Sequence, residues 1–257
     1  MCRLFAMIGA TPLPIQEGLA AFYPLCSEGC VKTGMTGGHL DGWGVAGYSN
    51  GRAVYFGRQA RPATEALDDY KRAGERAVKS GAPVVLAHFR KTSGSEIDIS
   101  NTHPFLYQDW AFAHNGTIFD AAKTIPPISS SPQGTTDSER FFLWLWEQVH
   151  AETDTTQALV SMLKNARESL SFSALNFLLS DGKSLWAYCD VGTKHFDEGE
   201  TPEEREKYYT LYWSSIAGGA MVSSEPLKTL SDTWNPLPKK TLAIFSQNTK
   251  PPRLLTF

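Results

Sequence analysis

Trp43-Gly44-Val45-Ala46-Gly47-Tyr48-Ser49-Asn50-Gly51-Arg52-Ala53-Val54-Tyr55-Phe56-Gly57-Arg58 holds two strand-like runs separated by Asn50-Gly51. Asn-Gly accommodates the positive backbone φ of a tight hairpin turn, so the stretch predicts Trp43–Ser49 paired antiparallel with Ala53–Arg58. Ser173–Leu179 and Ser184–Cys189, joined through Ser180-Asp181-Gly182-Lys183, repeat the pattern. Cys2–Ile8, Val84–Arg90, Trp110–His114 and Lys240–Phe245 are further strand candidates. Val84–Arg90 is apolar until its last residues, as a buried strand that delivers a side chain to a site would be. Three stretches carry helical spacing: Ala63–Lys79, stopped by Gly81; Ser138–His150, capped by Thr136 or Asp137; and Thr156–Leu170. Hairpins interleaved with helices, rather than alternating strand and helix, predict an α+β fold of antiparallel sheet covered by helices.

The 257 residues suit one large domain or two small ones. Ile125–Thr136, with Pro126, Pro127, Pro132 and a serine run, reads as a loop inside a domain. Twenty-four Lys and Arg against 27 Asp and Glu give a net charge of -3 with no basic block, which argues against nucleic acid and acidic membrane surfaces as partners. No apolar run reaches the length of a membrane span. The N-terminal apolar stretch is short and is followed by Pro12 and Pro14, so a signal peptide is not expected. Four cysteines in this length do not form a disulfide framework, and a reducing cytoplasm is the expected location. Cys26 and Cys30 stand four apart without a second Cys/His pair at ligand spacing, and His39 is isolated. Neither a metal nor a cofactor is expected.

Cys2 opens the chemistry. Removal of Met1 ahead of a small second residue leaves a cysteine with both a thiol and a free α-amino group. An α-amino group titrates at about 7.7–8.0, so it can take the proton of its own thiol. On position alone Cys2 is merely a small residue in a strand. Arg90, at the end of its strand, offers a planar fork for a carboxylate, though an arginine at a strand edge is ordinary. Asn115-Gly116 pairs a side-chain amide with a backbone N–H in a close-approach position, suited to an oxyanion; it is also a common turn. Asp137 reads first as a helix cap and second as a carboxylate for an ammonium group.

Taken in order, these segments resemble the class II (N-terminal cysteine) glutamine amidotransferases, within the N-terminal-nucleophile hydrolases, and among them the short stand-alone YafJ-like branch. The matching segments are Met1-Cys2-Arg3-Leu4, Asp41-Gly42-Trp43-Gly44, His88-Phe89-Arg90, Asn101-Thr102-His103-Pro104-Phe105, His114-Asn115-Gly116 and Thr136-Asp137-Ser138-Glu139. Val222 to Leu227, Trp234 and the Lys240–Phe245 strand match the closing part. The resemblance implies a four-layer αββα sandwich of two antiparallel sheets, with residues 1–257 as a single type-2 amidotransferase domain. It implies Cys2 as nucleophile through a γ-glutamyl thioester, Asn115 and Gly116 as the oxyanion hole, Arg90 for the glutamine α-carboxylate and Asp137 for its α-ammonium. The spacing of Lys91-Thr92-Ser93 after Arg90 departs from many relatives, so Thr92 and Ser93 receive no role. Asp41-Gly42-Trp43-Gly44 reads as structural, with Trp43 for packing or a pocket wall. His103 and His114 read as supporting groups, because the α-amino group fills the base role.

The larger amidotransferases carry a fused synthase that consumes the ammonia, and no stretch here is read as one. The ammonia acceptor is then expected to be a separate protein. The acidic segment His195–Tyr209 reads as a solvated insertion leading to a short helix, ahead of a flap or docking surface. The leading expectation is glutamine amidohydrolysis. The alternatives are hydrolysis of a γ-glutamyl peptide or thiol-derived conjugate, and a non-catalytic binding scaffold.

Overall fold

Strand β1 (Arg3–Gly9) is buried at every position, which is why it reads as an almost unbroken apolar run. Its side chains divide between two layers: Phe5 and Met7 enter one core, Leu4, Ala6 and Ile8 another. The computed structural model describes residues 2–10, 12–32, 36–193, 200–247 and 249–257. After β1 come α1 (Ile15–Phe22), α2 (Leu25–Glu28), β2 (Trp43–Ser49), β3 (Arg52–Gln59), α3 (Leu67–Lys79), β4 (Val84–Phe89), β5 (Phe105–Tyr107) and β6 (Trp110–Asn115). The second half runs α4 (Ala121–Thr124), α5 (Asp137–His150), α6 (Thr155–Ser169), β7 (Asn176–Ser180), β8 (Ser184–Cys189), α7 (Pro202–Tyr209), β9 (Tyr212–Ile216), β10 (Gly219–Ser223), β11 (Asn235–Pro236), β12 (Thr241–Ser246) and β13 (Thr249–Thr256).

Among the described residues the strands form two antiparallel sheets. One has the order β11-β9-β10-β1-β4-β2-β3, the other β13-β12-β8-β7-β6-β5. Between them lies a layer that includes Leu4, Ile8 and Leu86 from the first sheet and Ala113, Leu178 and Ala187 from the second. Residues Phe5, Met7, Val85 and Phe89 pack outward against α1 and α3, while Phe112 and Phe177 pack outward against α5 and α6. The result is the four-layer αββα sandwich, with β1, β4 and β10 of the first sheet and β7 of the second buried at every position.

The hairpin that opens the reading has Asn50 at φ 52° and Gly51 at φ 78°, and it pairs Ser49 with Arg52. The helix expected over Ala63–Lys79 is interrupted. A 3-10 turn at Ala63–Glu65 precedes α3, with Ala66 between them at φ −131°. Ala63 and Ala66 are both buried in the core beneath α3, and holding both there bends the chain off the helical path. Of the two candidate caps for α5, Thr136 performs the task, its Oγ1 accepting the Glu139 N–H at 3.1 Å. The strand expected from Ser173 begins at Asn176, because the preceding residues make only isolated bridges such as Ala174 with Val191.

One expectation is met only in part. Residues 194–199 of the acidic insertion lie outside the described residues; the short helix follows as expected and Glu203, Glu204 and Glu206 are exposed, but the segment is not solvated throughout. Thr201 and Glu204 form a reciprocal capping box at the start of α7, and the helix buries Arg205, Tyr208 and Tyr209. Glu200 neutralises both Arg205 and Lys32, all three nearly inaccessible, at 2.6 and 2.9 Å. A run of Glu reads as solvated until its cations are located, and Lys32 is far away in sequence.

Candidate active site

The ends of β1, β4 and β6 meet at one edge of the sandwich. Antiparallel pairing sets Arg3 beside Phe89 and Leu4 beside His88, so Cys2 falls level with Arg90. Alternation then turns Cys2 toward the second sheet, where β6 ends in Asn115. The Cys2 backbone nitrogen donates to Asn115 Oδ1 at 3.0 Å, joining residues 113 apart in the chain. With Oδ1 committed to that bond, the Nδ2 donor of Asn115 is turned to the other side. The Cys2 thiol lies against the residue after Arg90: the Lys91 N–H points at Sγ at 3.5 Å, and Sγ is 3.6 Å from the Lys91 carbonyl. Burial pushes the thiol above its ordinary value, against the lowering influence of the Lys91 N–H and of the Arg90 and Arg3 guanidinium groups.

Gly116 follows at φ +157°, and a Cβ there would stand 1.9 Å from the Ala174 carbonyl oxygen, so no side chain fits. Among the described residues no protein acceptor takes its N–H. The arrangement therefore presents one side-chain and one backbone donor beside a buried thiol, the chemistry of an oxyanion site.

Arg90 is brought to this edge, but in this structure its guanidinium grips the following loop. Nη2 donates to Ser95 Oγ at 2.7 Å and to the Glu96 carbonyl at 3.0 Å. Asp41 holds the same loop from below, its Oδ2 accepting the Thr92 N–H at 2.7 Å. A carboxylate reaching Arg90 would take over donors now used by residues 95 and 96. Asp137, at the start of α5, accepts the Ile118 N–H at 2.6 Å and so fixes the chain just beyond Gly116. It lines a cavity of about 470 Å³ with Ile118, Thr135 and Arg140. Cys2, Asn115 and Gly116 thus share one locus, Arg90 borders it through Lys91, and Asp137 approaches it through the 116–118 segment.

Three residues that sequence reasoning passed over organise this edge. Asn101 is buried; its amide donates to the Glu96 carbonyl at 3.2 Å, and its Oδ1 accepts the Thr135 N–H at 2.7 Å. It thereby staples the Arg90 loop to the segment that delivers Asp137. Ser138 faces His114 Nδ1 at 2.9 Å, and Glu139 accepts the Gln133 and Gly134 N–H groups at 2.9 and 2.7 Å. The signal for Asn101 and Glu139 was their place in the quoted motifs. Asp41, read as part of a structural block, proves to be a loop anchor. Trp43 packs edge-on against Tyr70, 5.5 Å between ring centres, inside the helix-side core and not at a pocket wall. Gly44 leaves the space in which the His103 carbonyl and Pro104 sit, 2.2 and 2.9 Å from where a Cβ would be.

The His103–Pro104 peptide is cis, and His103 stacks on His88 with ring centres 4.3 Å apart. Both imidazoles are buried, and that of His103 makes no hydrogen bond among the described residues. Burial holds both well below the ordinary histidine value. Cys26 is buried and Cys30 exposed, both as free thiols. Among the described residues no group of three His, Cys, Asp or Glu side chains is placed to hold a metal ion, and no helix is long and apolar enough to cross a membrane.

The sequence profile described as "Glutamine amidotransferases class-II" matches residues 1–202. The chain is 31% identical over 205 residues to YafJ of Escherichia coli K12, provisionally named a glutamine amidotransferase, with 74% of each protein covered. A Haemophilus influenzae protein with the same provisional designation is 30% identical over 207 residues, covering 74% of this chain and 64% of that one. The match to that relative therefore spans just under two thirds of its length. Among solved structures, a glutamine aminotransferase class-II domain protein from Silicibacter pomeroyi superposes with a TM-score of 0.61 at 22% identity, over 100% of this chain and 99% of that one. Glutamine phosphoribosylpyrophosphate amidotransferase from Bacillus subtilis gives 0.68 at 15% identity, over 99% of this chain and 49% of that one. Likeness at such identities concerns the fold.

Proposed function

This chain belongs to the class II glutamine amidotransferases, and on that footing we propose that it hydrolyses the side-chain amide of glutamine with Cys2, exposed by removal of Met1. The observation that carries the reading is the bond between the Cys2 nitrogen and Asn115 Oδ1, beside the open Gly116 N–H. With Met1 gone, that nitrogen is an amine held where it can serve the adjacent thiol.

The amine takes the thiol proton as sulfur attacks the amide carbon. Negative charge develops on the carbonyl oxygen, toward which Asn115 Nδ2 and the Gly116 N–H donate. The ammonium formed on Cys2 returns its proton to the leaving nitrogen, the C–N bond breaks, and ammonia departs. The acyl group remains as a γ-glutamyl thioester. Water then attacks this thioester, giving glutamate and the restored thiol. A raised thiol value suits this route, since the thiol stays protonated until its base is engaged. Arg90 recognises the α-carboxylate once residues 95 and 96 release it, and Asp137 recognises the α-ammonium. The reordering means that substrate affinity includes the cost of moving the loop.

The test is intact-mass spectrometry before and after exposure to 6-diazo-5-oxonorleucine, a glutamine-shaped electrophile. The reading requires a chain lacking Met1 that gains a single adduct, and no adduct in Cys2→Ala. A retained Met1, or a processed chain that stays unlabelled, sinks glutamine hydrolysis.

A further inference from the structure

The start of β1 carries a buried cation that the chemistry above does not use. Arg3 points away from the thiol, to the helix-side face of the sheet, and is fully buried. Its guanidinium donates to the carbonyl oxygen of Cys2 at 3.2 Å and to that of Cys30. Nε lies 2.9 Å from Glu225 Oε1, and the plane rests over the Tyr208 ring at 4.5 Å. Glu225 in turn accepts the Cys30 N–H at 2.7 Å. Three distant segments therefore converge on one side chain: the turn after α2, the chain after β10, and α7. Burying a guanidinium is costly, and a well-packed apolar residue of similar size would hold the strand end as firmly. An apolar residue cannot hold the Cys2 carbonyl or place a positive charge behind Cys2.

We propose that Arg3, clamped by Glu225 and Tyr208, is a positioning residue for Cys2: it fixes the Cys2 peptide plane and sets the electrostatic potential at its thiol and amine. The Cys2 carbonyl is held by Arg3 and the nitrogen by Asn115, so both ends of the residue are tethered and its side chain is aimed. The positive groups facing Cys2 are Arg90 from the end of β4 and Arg3 from β1, and Tyr208 of α7 lies within its field. Around Arg3 stand Glu225, Tyr208 and Cys30. His39 lies across Gly29 from the guanidinium, and Lys207 lies beyond Cys30. Positive charge favours the thiolate and disfavours the ammonium, so Arg3 lowers both titrations while Glu225 opposes it.

The proposal rests on Cys2 being the nucleophile, and its test reads Cys2 directly, without turnover. The pH dependence of iodoacetamide alkylation at Cys2 is followed by peptide mass spectrometry in a Cys30→Ser background, which removes the exposed competing thiol. Arg3→Met raises the midpoint by at least roughly half a pH unit, and Glu225→Gln lowers it. Arg3→Lys keeps the charge and stays near the parent midpoint, but turns glutamine over more slowly because one ammonium cannot hold both carbonyls. Circular dichroism verifies folding; if Arg3→Met fails to fold, Glu225→Gln and Arg3→Lys carry the test. Midpoints that stay together, or move in the same direction for Arg3→Met and Glu225→Gln, overturn the positioning role. Opposite shifts in a chain that hydrolyses no glutamine leave that role standing and remove the proposed function instead.

Discussion

Asn115 and Gly116 carry the sharpest expectations at the scale of single residues. Replacing Asn115 by Ala removes the acceptor that holds the Cys2 nitrogen and, on the proposed mechanism, a donor for the developing oxyanion. Loss of one such donor costs about 10²–10³ in kcat, roughly 2.7–4 kcal/mol, with KM for glutamine little changed. Steady-state kinetics on folded protein measures it, and a variant within a factor of three of the parent would remove Asn115 from the mechanism. Gly116→Ala differs in kind, since its Cβ meets the Ala174 carbonyl and stability should fall together with activity. The pH dependence follows from the base. On the proposed mechanism, with the thiol raised by burial, the rate climbs as the α-amino group loses its proton, at or below its ordinary range of about 7.7–8.0 because the nearby guanidinium groups disfavour the ammonium. His103→Ala and His114→Ala, checked for folding, leave that ascending limb in place; a shifted limb in both would return the base role to an imidazole. At this scale the sequence offered residue types for the proposed chemistry but not their geometry. Cys2, Asn115 and Arg90 were legible as types suited to the task. Nothing in their spacing told that the Arg90 guanidinium would be spent on Ser95 and Glu96.

Among the elements, those with a strong local period were readable: the β2–β3 hairpin, the β7–β8 hairpin, α5 and α6. Helix α1, β5 and the short strands β9 to β11 were not read, because their formation depends on partners supplied from elsewhere. β11 is two residues long and exists only by pairing with β9. Helix α7 was expected as a short helix, but its buried face was not, because the Lys32–Glu200 pair and the contact of Tyr208 with Arg3 are long-range. The cap of α5 gives an element-scale prediction. Thr136→Ala costs about 1 kcal/mol of stability. It also loosens the turn from which Asp137 reaches Ile118, so KM for glutamine rises more than kcat falls. Urea melts and steady-state kinetics read the two effects separately. β4 and the cis turn after residue 102 give another. His88 and His103 are buried neutral, with titrations depressed below the ordinary value of 6.5. Below that pH the unfolded chain binds protons that the folded chain refuses, so stability is full above pH 6.5 and falls as the pH drops. The two groups together approach a slope of about 2.7 kcal/mol per pH unit. Urea denaturation between pH 7.5 and 5.5 tests this; His88→Phe with His103→Phe should flatten the profile, and an unchanged profile would place the acid sensitivity elsewhere.

For the molecule as a whole, the question is whether the four layers are one cooperative unit. β1 donates Phe5 and Met7 to the core under α1 and α3, and Leu4, Ala6 and Ile8 to the layer between the sheets. In the second sheet, Leu178 faces the inter-sheet layer while its neighbours Phe177 and Leu179 face α5 and α6. No layer can melt without exposing strands that a neighbouring layer needs, and the proposed site is built from both sheets at once, Cys2 from one and Asn115 from the other. Unfolding should therefore be a single transition that abolishes labelling of Cys2 in step with structure. The seven tryptophans allow a spatial test, since fluorine NMR of a 5-fluorotryptophan-labelled chain resolves them individually. Trp43 reports the α1/α3 side, and Trp144 and Trp186 the α5/α6 side. Their urea midpoints should coincide. Leu86→Ala, which opens a hole in the layer between the sheets, should lower all three midpoints equally, by the amount that a loss of about 2–5 kcal/mol of stability requires. If Trp43 lost its native signal at a different urea concentration from Trp144 and Trp186, the sheets would be separable units, and the contact between Cys2 and Asn115 would be an interface able to open without global unfolding.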